Sequence, residues 1–161
     1  MTRPVYETKS DRGRERKVSL ELAKAWSAEL LATQVLSACD YVMSRDGEVK
    51  ALVEIKCRSN EAARYPDYMI SNDKIEKIKA AARIIGALPL LVVSFTDGIY
   101  WVDLSKSIGR VDVGGRKDRG DPSDLEQVLL ISMDQFQALP RVSKKAHTDN
   151  SSGSNQRRIN E

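Results

Sequence analysis

The segment Ala51-Leu52-Val53-Glu54-Ile55-Lys56-Cys57-Arg58 constrains this chain more than any other. Its β-branched and aliphatic residues read as a strand, and strand alternation sends Ala51, Val53, Ile55 and Cys57 to one face. Leu52, Glu54, Lys56 and Arg58 fall on the other. An apolar strand therefore carries an acid and a base side by side. Burying an unpaired ion costs several kcal/mol or more, so both groups need compensation. A divalent cation and a bound phosphate would supply it. A second acid, Asp40, begins the strand that Asp46-Gly47, a strong hairpin signal, folds back against Glu54. A two-residue turn would set Asp40 opposite Val53. A three-residue turn with a glycine bulge would set it opposite Glu54, on the same face. The second register is predicted, because only there do both carboxylates share one cation.

Around this hairpin the periodicity changes. Residues 11–31 repeat at helical spacing, with Val18, Leu22, Ala25, Trp26 and Glu29 on one stripe. Thr33–Ser37, Asp40–Ser44 and Val49–Cys57 read as strands, and Arg58–Tyr68 as a polar loop broken at Tyr65-Pro66. A second helix is predicted over about 73–86, capped by Ser71, Asn72 or Asp73. Its inner face is Ile75, Ile78, Lys79, Ala82 and Ile85, and Gly86 ends it. Leu90–Phe95 is a continuous apolar run suited to a central strand. Thr96-Asp97-Gly98 turns it into Ile99–Leu104. Gln127–Ser132 gives one more strand before a helical turn near Gln135–Leu139. The order α-β-β-β-α-β-β describes an α/β domain, a mixed central sheet flanked by helices. It occupies residues 1–140. A polar, glycine-rich loop is expected at about 105–124, and a disordered polar tail over 141–161.

Composition narrows the chemistry. The chain has 161 residues, room for one domain, and a net charge of +3 that permits a nucleic-acid partner without requiring one. Its single histidine, His147, lies in the tail, which disfavours a histidine triad or a multi-histidine metal site. Cys39 and Cys57 are too few for a zinc cluster and read as reduced, buried thiols of a cytoplasmic protein. No run approaches about 18 apolar residues, and the Met1-Thr2-Arg3-Pro4 start lacks a signal-peptide core. Carboxylates and lysines remain.

A third acid is available from the first helix. Glu15 and Glu29 both fall on its stripe but lie about 21 Å apart at 1.5 Å per residue, so one site cannot use both. Glu15 is preferred, since it sits with Arg14 and Arg16 at the positive helix end. With Gly13-Arg14-Glu15-Arg16 on that helix, then Asp40, then Glu54-Ile55-Lys56 fourteen positions on, residues 11–104 resemble the PD-(D/E)xK nuclease superfamily. The arrangement is similar to its archaeal Holliday-junction resolvase branch, although the first motif reads Cys39-Asp40 where Pro-Asp is usual. The resemblance implies a restriction-endonuclease-like fold and a metal-dependent endodeoxyribonuclease. Such an enzyme hydrolyses phosphodiester bonds to 5′-phosphate and 3′-hydroxyl ends. It implies Mg²⁺, with Mn²⁺ as a substitute, held by Asp40, Glu54, the Ile55 carbonyl and Glu15. Lys56 would orient the attacking water and offset transition-state charge.

Simpler readings stand beside these. The acids and Lys56 could form an exposed cross-strand charge pair. Arg58, Arg64 and Lys74 could contact DNA phosphates, Lys74 from the first turn of the second helix, or could simply be solvated. The small chain leaves no room for a separate sequence-reading domain. Duplex or branched DNA cut with structure selectivity or weak sequence preference is expected, by a possible homodimer and without a membrane. The alternatives are a catalytically silent nuclease fold that binds DNA or a partner, and an interaction protein whose acids form a surface salt bridge.

Overall fold

The computed structural model describes residues 9–34, 37–115 and 125–141. Helix α1 (Lys9–Trp26) buries Val18, Ser19 and Leu22. It ends earlier than its apolar stripe suggests, because Ser27 adopts a left-handed conformation (φ 47°) that turns the chain out of the helix. Glu29 thus opens strand β1 (Glu29–Ala32), where it is exposed. Of the expected strand Thr33–Ser37, residues 35 and 36 lie outside the described residues, and Thr33, Gln34 and Ser37 are not in a strand. Thr33 and Ser37 instead turn inward and hydrogen-bond the carbonyl of Cys39. Trp26 packs edge-on against Trp101, with ring centroids 5.6 Å apart.

Strands β2 (Tyr41–Arg45) and β3 (Glu48–Cys57) form the expected hairpin. Its turn has two residues rather than three, since Arg45 pairs with Glu48 while Asp46 (φ 52°) and Gly47 (φ 76°) are both left-handed. The shift that the register needs comes from a bulge further along. Ser44 pairs with Val49 but Met43 with Ala51, so Lys50 is the extra residue. Tyr41 then pairs with Val53, the last pair of the ladder, and the Asp40 N–H just beyond it also bonds the Val53 carbonyl. Over Tyr41–Met43 the ladder has the predicted register, reached by a different device.

Helix α2 (Asn72–Ile85) follows strand β4 (Asp67–Ser71) and leads into β5 (Leu88–Ser94), which runs parallel to β3. Ile75, Ile78 and Ala82 are its buried face, whereas Ile85, in the last turn, is 52% exposed. Gly86 caps the helix in the left-handed region (φ 70°). Strand β6 (Ile99–Asp103) returns antiparallel to β5. The expected helical turn near residue 135 is a 3-10 turn at Met133–Gln135, followed by the short strand β9 (Gln137–Ala138) on β6. The six-stranded sheet has the order β1-β2-β3-β5-β6-β9, with β3 and β5 at its centre.

A second sheet, in the order β4-β8-β7, joins β4, β7 (Gly109–Gly115) and β8 (Leu125–Ser132). Two of these strands fall where loop was expected. β4 occupies the end of the polar loop, and β7 lies within the glycine-rich stretch. Those glycines permit close packing, since a Cβ on Gly109 would stand 2.6 Å from Leu129 and one on Gly114 would stand 2.9 Å from Val128. The remainder of that loop and most of the tail lie outside the described residues. The large sheet separates two cores. Val18 and Leu22 of α1 pack with Tyr41, Ala51, Val53, Ile55 and Val92 on one face. Leu52, Leu91 and Val93 meet Ile75 and Ile78 of α2, with Ile131 of β8, on the other.

Candidate active site

Glu54 sits in the middle of a central strand and has no exposed surface. Alternation places it with Leu52 on the α2 side, where two cations converge on it. The Lys56 Nζ lies 2.8 Å from Oε1, and the Lys74 Nζ lies 3.2 Å from Oε2. Among the described residues these two lysines are the partners that the buried carboxylate oxygens have. Burial raises the Glu54 pKa above the ordinary carboxylate range. Lys56 and Lys74 oppose that rise, and the neighbouring Asp40 charge adds to it. Lys56 is pulled down by burial, but Glu54, Asp40 and Glu15 outweigh this and hold it protonated.

Asp40 is fixed by backbone on three sides. Its N–H donates to the Val53 carbonyl at 3.0 Å, and its carbonyl accepts from the Thr33 N–H at 2.8 Å. Its Oδ2 accepts from the Ile55 N–H at 2.8 Å. Ile55 therefore contributes backbone to the site while its side chain is buried in the α1 core. Thr33 was not singled out from sequence. Nothing local marks it, because its partner lies seven residues further along the chain.

The structure thus brings Asp40, Glu54, Lys56 and Lys74 together. Glu15 comes from α1, on the opposite face, and couples electrostatically with Lys56, Tyr41 and Cys57. Among the described residues no group of three or more His, Cys, Asp or Glu side chains is placed to hold a metal ion. The two-acid arrangement still fits a hard divalent ion, and the buried Glu54 carboxylate, held only through lysine ammonium groups among the described residues, carries that fit. Magnesium commonly takes one or two carboxylates and completes its shell with water and substrate phosphate. The thiols are poor nucleophiles here: burial, then nearby carboxylates, push Cys39 up, and burial and Glu15 push Cys57 up.

Arg58 is exposed just past β3, its guanidinium carbon 5.2 Å from the Tyr68 ring centroid. Arg64 lies likewise 5.7 Å from the Tyr65 ring centroid. Beside them opens a cleft of about 530 Å³, with Arg58, Tyr65, Tyr68 and Phe95 in its walls. The sequence shows here only a polar loop, not this cleft, since it forms between that loop, β4 and the end of β5.

The family described as "Phage putative PDDEXK endonuclease" matches residues 1–139. No curated protein matches the sequence. Among solved structures, the chain is similar to Hjc of Archaeoglobus fulgidus, a Holliday junction resolvase from an archaeal hyperthermophile. The identity is 16% and the TM-score 0.57, over 81% of this chain and 93% of that one. At that identity the likeness shows the fold, which is restriction-endonuclease-like. The family match spans both helices and the hairpin bearing Asp40, Glu54 and Lys56, and on it the chain belongs to the phage PD-(D/E)xK endonuclease family.

Proposed function

We propose that the chain is a divalent-metal-dependent endodeoxyribonuclease that selects DNA by structure more than by sequence. The observation that carries this reading is the buried Glu54 carboxylate, set against Asp40 and gripped by Lys56 and Lys74. A purely structural strand has little use for an ion at a fully buried position. Asp40, Glu54 and the Ile55 carbonyl would hold Mg²⁺, with Mn²⁺ able to replace it, and Glu15 would act at longer range through its waters and through Lys56. The cation supplies Lewis acidity to the phosphate and to the attacking water. Lys56 orients that water and offsets the charge that builds on the phosphate oxygens. The water oxygen bonds to phosphorus, the bond from phosphorus to O3′ breaks, and a proton passes to O3′. The products are a 5′-phosphate and a 3′-hydroxyl.

Arg58, Arg64 and Lys74 would meet backbone phosphates, Lys74 exchanging Glu54 for the substrate. The printed description of Hjc as a Holliday junction resolvase supports branched DNA as a substrate class. A homodimer would present two sites to two strands. Both cysteines are free, as a reducing cytoplasm would keep them. Among the described residues no helix is long and apolar enough to cross a membrane.

The test is incubation of supercoiled, single-stranded and four-way-junction DNA with Mg²⁺, Mn²⁺ or EDTA. Metal-dependent scission that is lost in Asp40→Ala, Glu54→Ala and Lys56→Ala supports the proposal. Binding with no scission under either metal would make the chain a silent DNA-binding member of its family.

A further inference from the structure

The cleft beside the acid–lysine cluster has the shape and lining of a place for a flat, π-faced ligand. Its volume of about 530 Å³ lies within the range of small-ligand sites, about 300–1,000 Å³. Three aromatic rings line it: Tyr65 at the rim, Tyr68 and Phe95 deeper in. Tyr68 and Phe95 meet edge-on at 6.2 Å. Tyr68 is 5% exposed, and its buried hydroxyl has the Arg58 side chain as its hydrogen-bonding neighbour. A phenol hydroxyl both donates and accepts, so with Arg58 as a donor its own proton is left for a ligand. Tyr65, in contrast, is 58% exposed, an aromatic ring held toward water beside Arg64.

Arg58, in the wall of the cleft, links it to the strand that bears the candidate active site. Glu54, Lys56 and Arg58 alternate along one face of β3, so at about 3.3 Å per residue Arg58 stands roughly 13 Å beyond Glu54, with Lys56 between. Arg58 then leans over Tyr68, which is itself a wall of the cleft. A DNA strand whose phosphate meets Lys56 would carry a neighbouring nucleotide to that wall. A stacked base pair cannot enter, but a base already out of its stack can, at little cost.

We propose that this cleft takes an unpaired nucleobase next to the scissile phosphate, stacked on Tyr65 and offered to the Tyr68 hydroxyl. The proposal rests on the nuclease reading and gives its structure selectivity a physical source: DNA with an unpaired base is preferred over fully paired DNA. Base–aromatic stacking is sequence-tolerant, since every base has a π-face.

The test uses the full chain in EDTA and three oligonucleotides: a paired duplex, a duplex with a one-nucleotide 2-aminopurine bulge, and the same bulge made abasic. The wild type should bind the base-bearing bulge more tightly than the other two and quench its fluorescence. Tyr65→Ala should lower that preference by roughly 5- to 150-fold, the stacking range, with binding to the paired duplex unchanged. Tyr65→Phe should restore it. Tyr68→Phe, which keeps the core ring, should reduce the preference without altering the melting temperature. Equal binding of base-bearing and abasic bulges would overturn base capture and leave the nuclease reading standing. A preference indifferent to both tyrosine variants would do the same. Failure to bind any of the three DNAs would overturn this inference and the nuclease reading together.

Discussion

Replacing Glu54 by Gln removes the charge on which Lys56 and Lys74 converge while keeping the side chain's volume. The folded state raises this carboxyl above its ordinary value, about 4.3, chiefly through burial. Folded protein therefore binds that proton more tightly than unfolded chain does. The contribution of Glu54 to stability is fully present below the unfolded value and is lost as pH rises through the folded one. Metal-free wild type should lose stability relative to Glu54→Gln as pH rises above the ordinary carboxylate value, about 4.3. Denaturant unfolding of both proteins over that rise measures it, and a difference independent of pH would contradict the shift. Lys56→Met should lower the cleavage rate by about 100-fold or more while circular dichroism stays native. An Arg at this position should not rescue it, since its fork cannot reproduce a compact ammonium. The three central residues were legible in the sequence because alternation and a turn signal act locally. The contact of Lys74 with Glu54 was not, for it depends on how α2 docks over β3. The same limit applies to Glu15: the helical stripe shows that it faces inward, but not that α1 covers the opposite face of the sheet.

At the scale of elements, the hairpin illustrates how a register can be right for a different physical reason. Asp46-Gly47 announces a turn, yet the compensation sits at Lys50, where no glycine or proline marks it. Strands β4 and β7 were hidden for related reasons. In β4 the outward Met69 is apolar and so hides the alternation that buries Tyr68 and Ile70, and in β7 the glycines resemble loop. Their function as close-packing positions can be measured. Gly109→Ala should cost about 1–3 kcal/mol by overpacking against Leu129, read as a lower denaturation midpoint. Gly86→Ala should cost about 1 kcal/mol through its left-handed backbone alone, since open space surrounds it. Equal costs at the two sites would argue that contact with Leu129 is not what fixes glycine at position 109.

For the whole molecule, two cores on either side of one sheet leave the C-terminal half of β3 to present its ions at the sheet's end. The net charge of +3 is too small to drive DNA binding by itself, so local cations must do it. Arg58→Ala and Arg64→Ala should each weaken binding across all DNA sequences and flatten the logarithmic salt dependence by about one phosphate contact. Titrations at several salt concentrations would show it, and unchanged slopes would remove these arginines from the interface. The most direct measurement is the rate of strand scission on a four-way junction in Mg²⁺, set beside EDTA and beside Glu54→Gln in Mg²⁺. Scission by the wild type in Mg²⁺ alone, with both controls silent and Glu54→Gln still folded, is the expected result. Scission that persists in EDTA, or in folded Glu54→Gln at the wild-type rate, would contradict a metal-dependent site built on Asp40, Glu54 and Lys56.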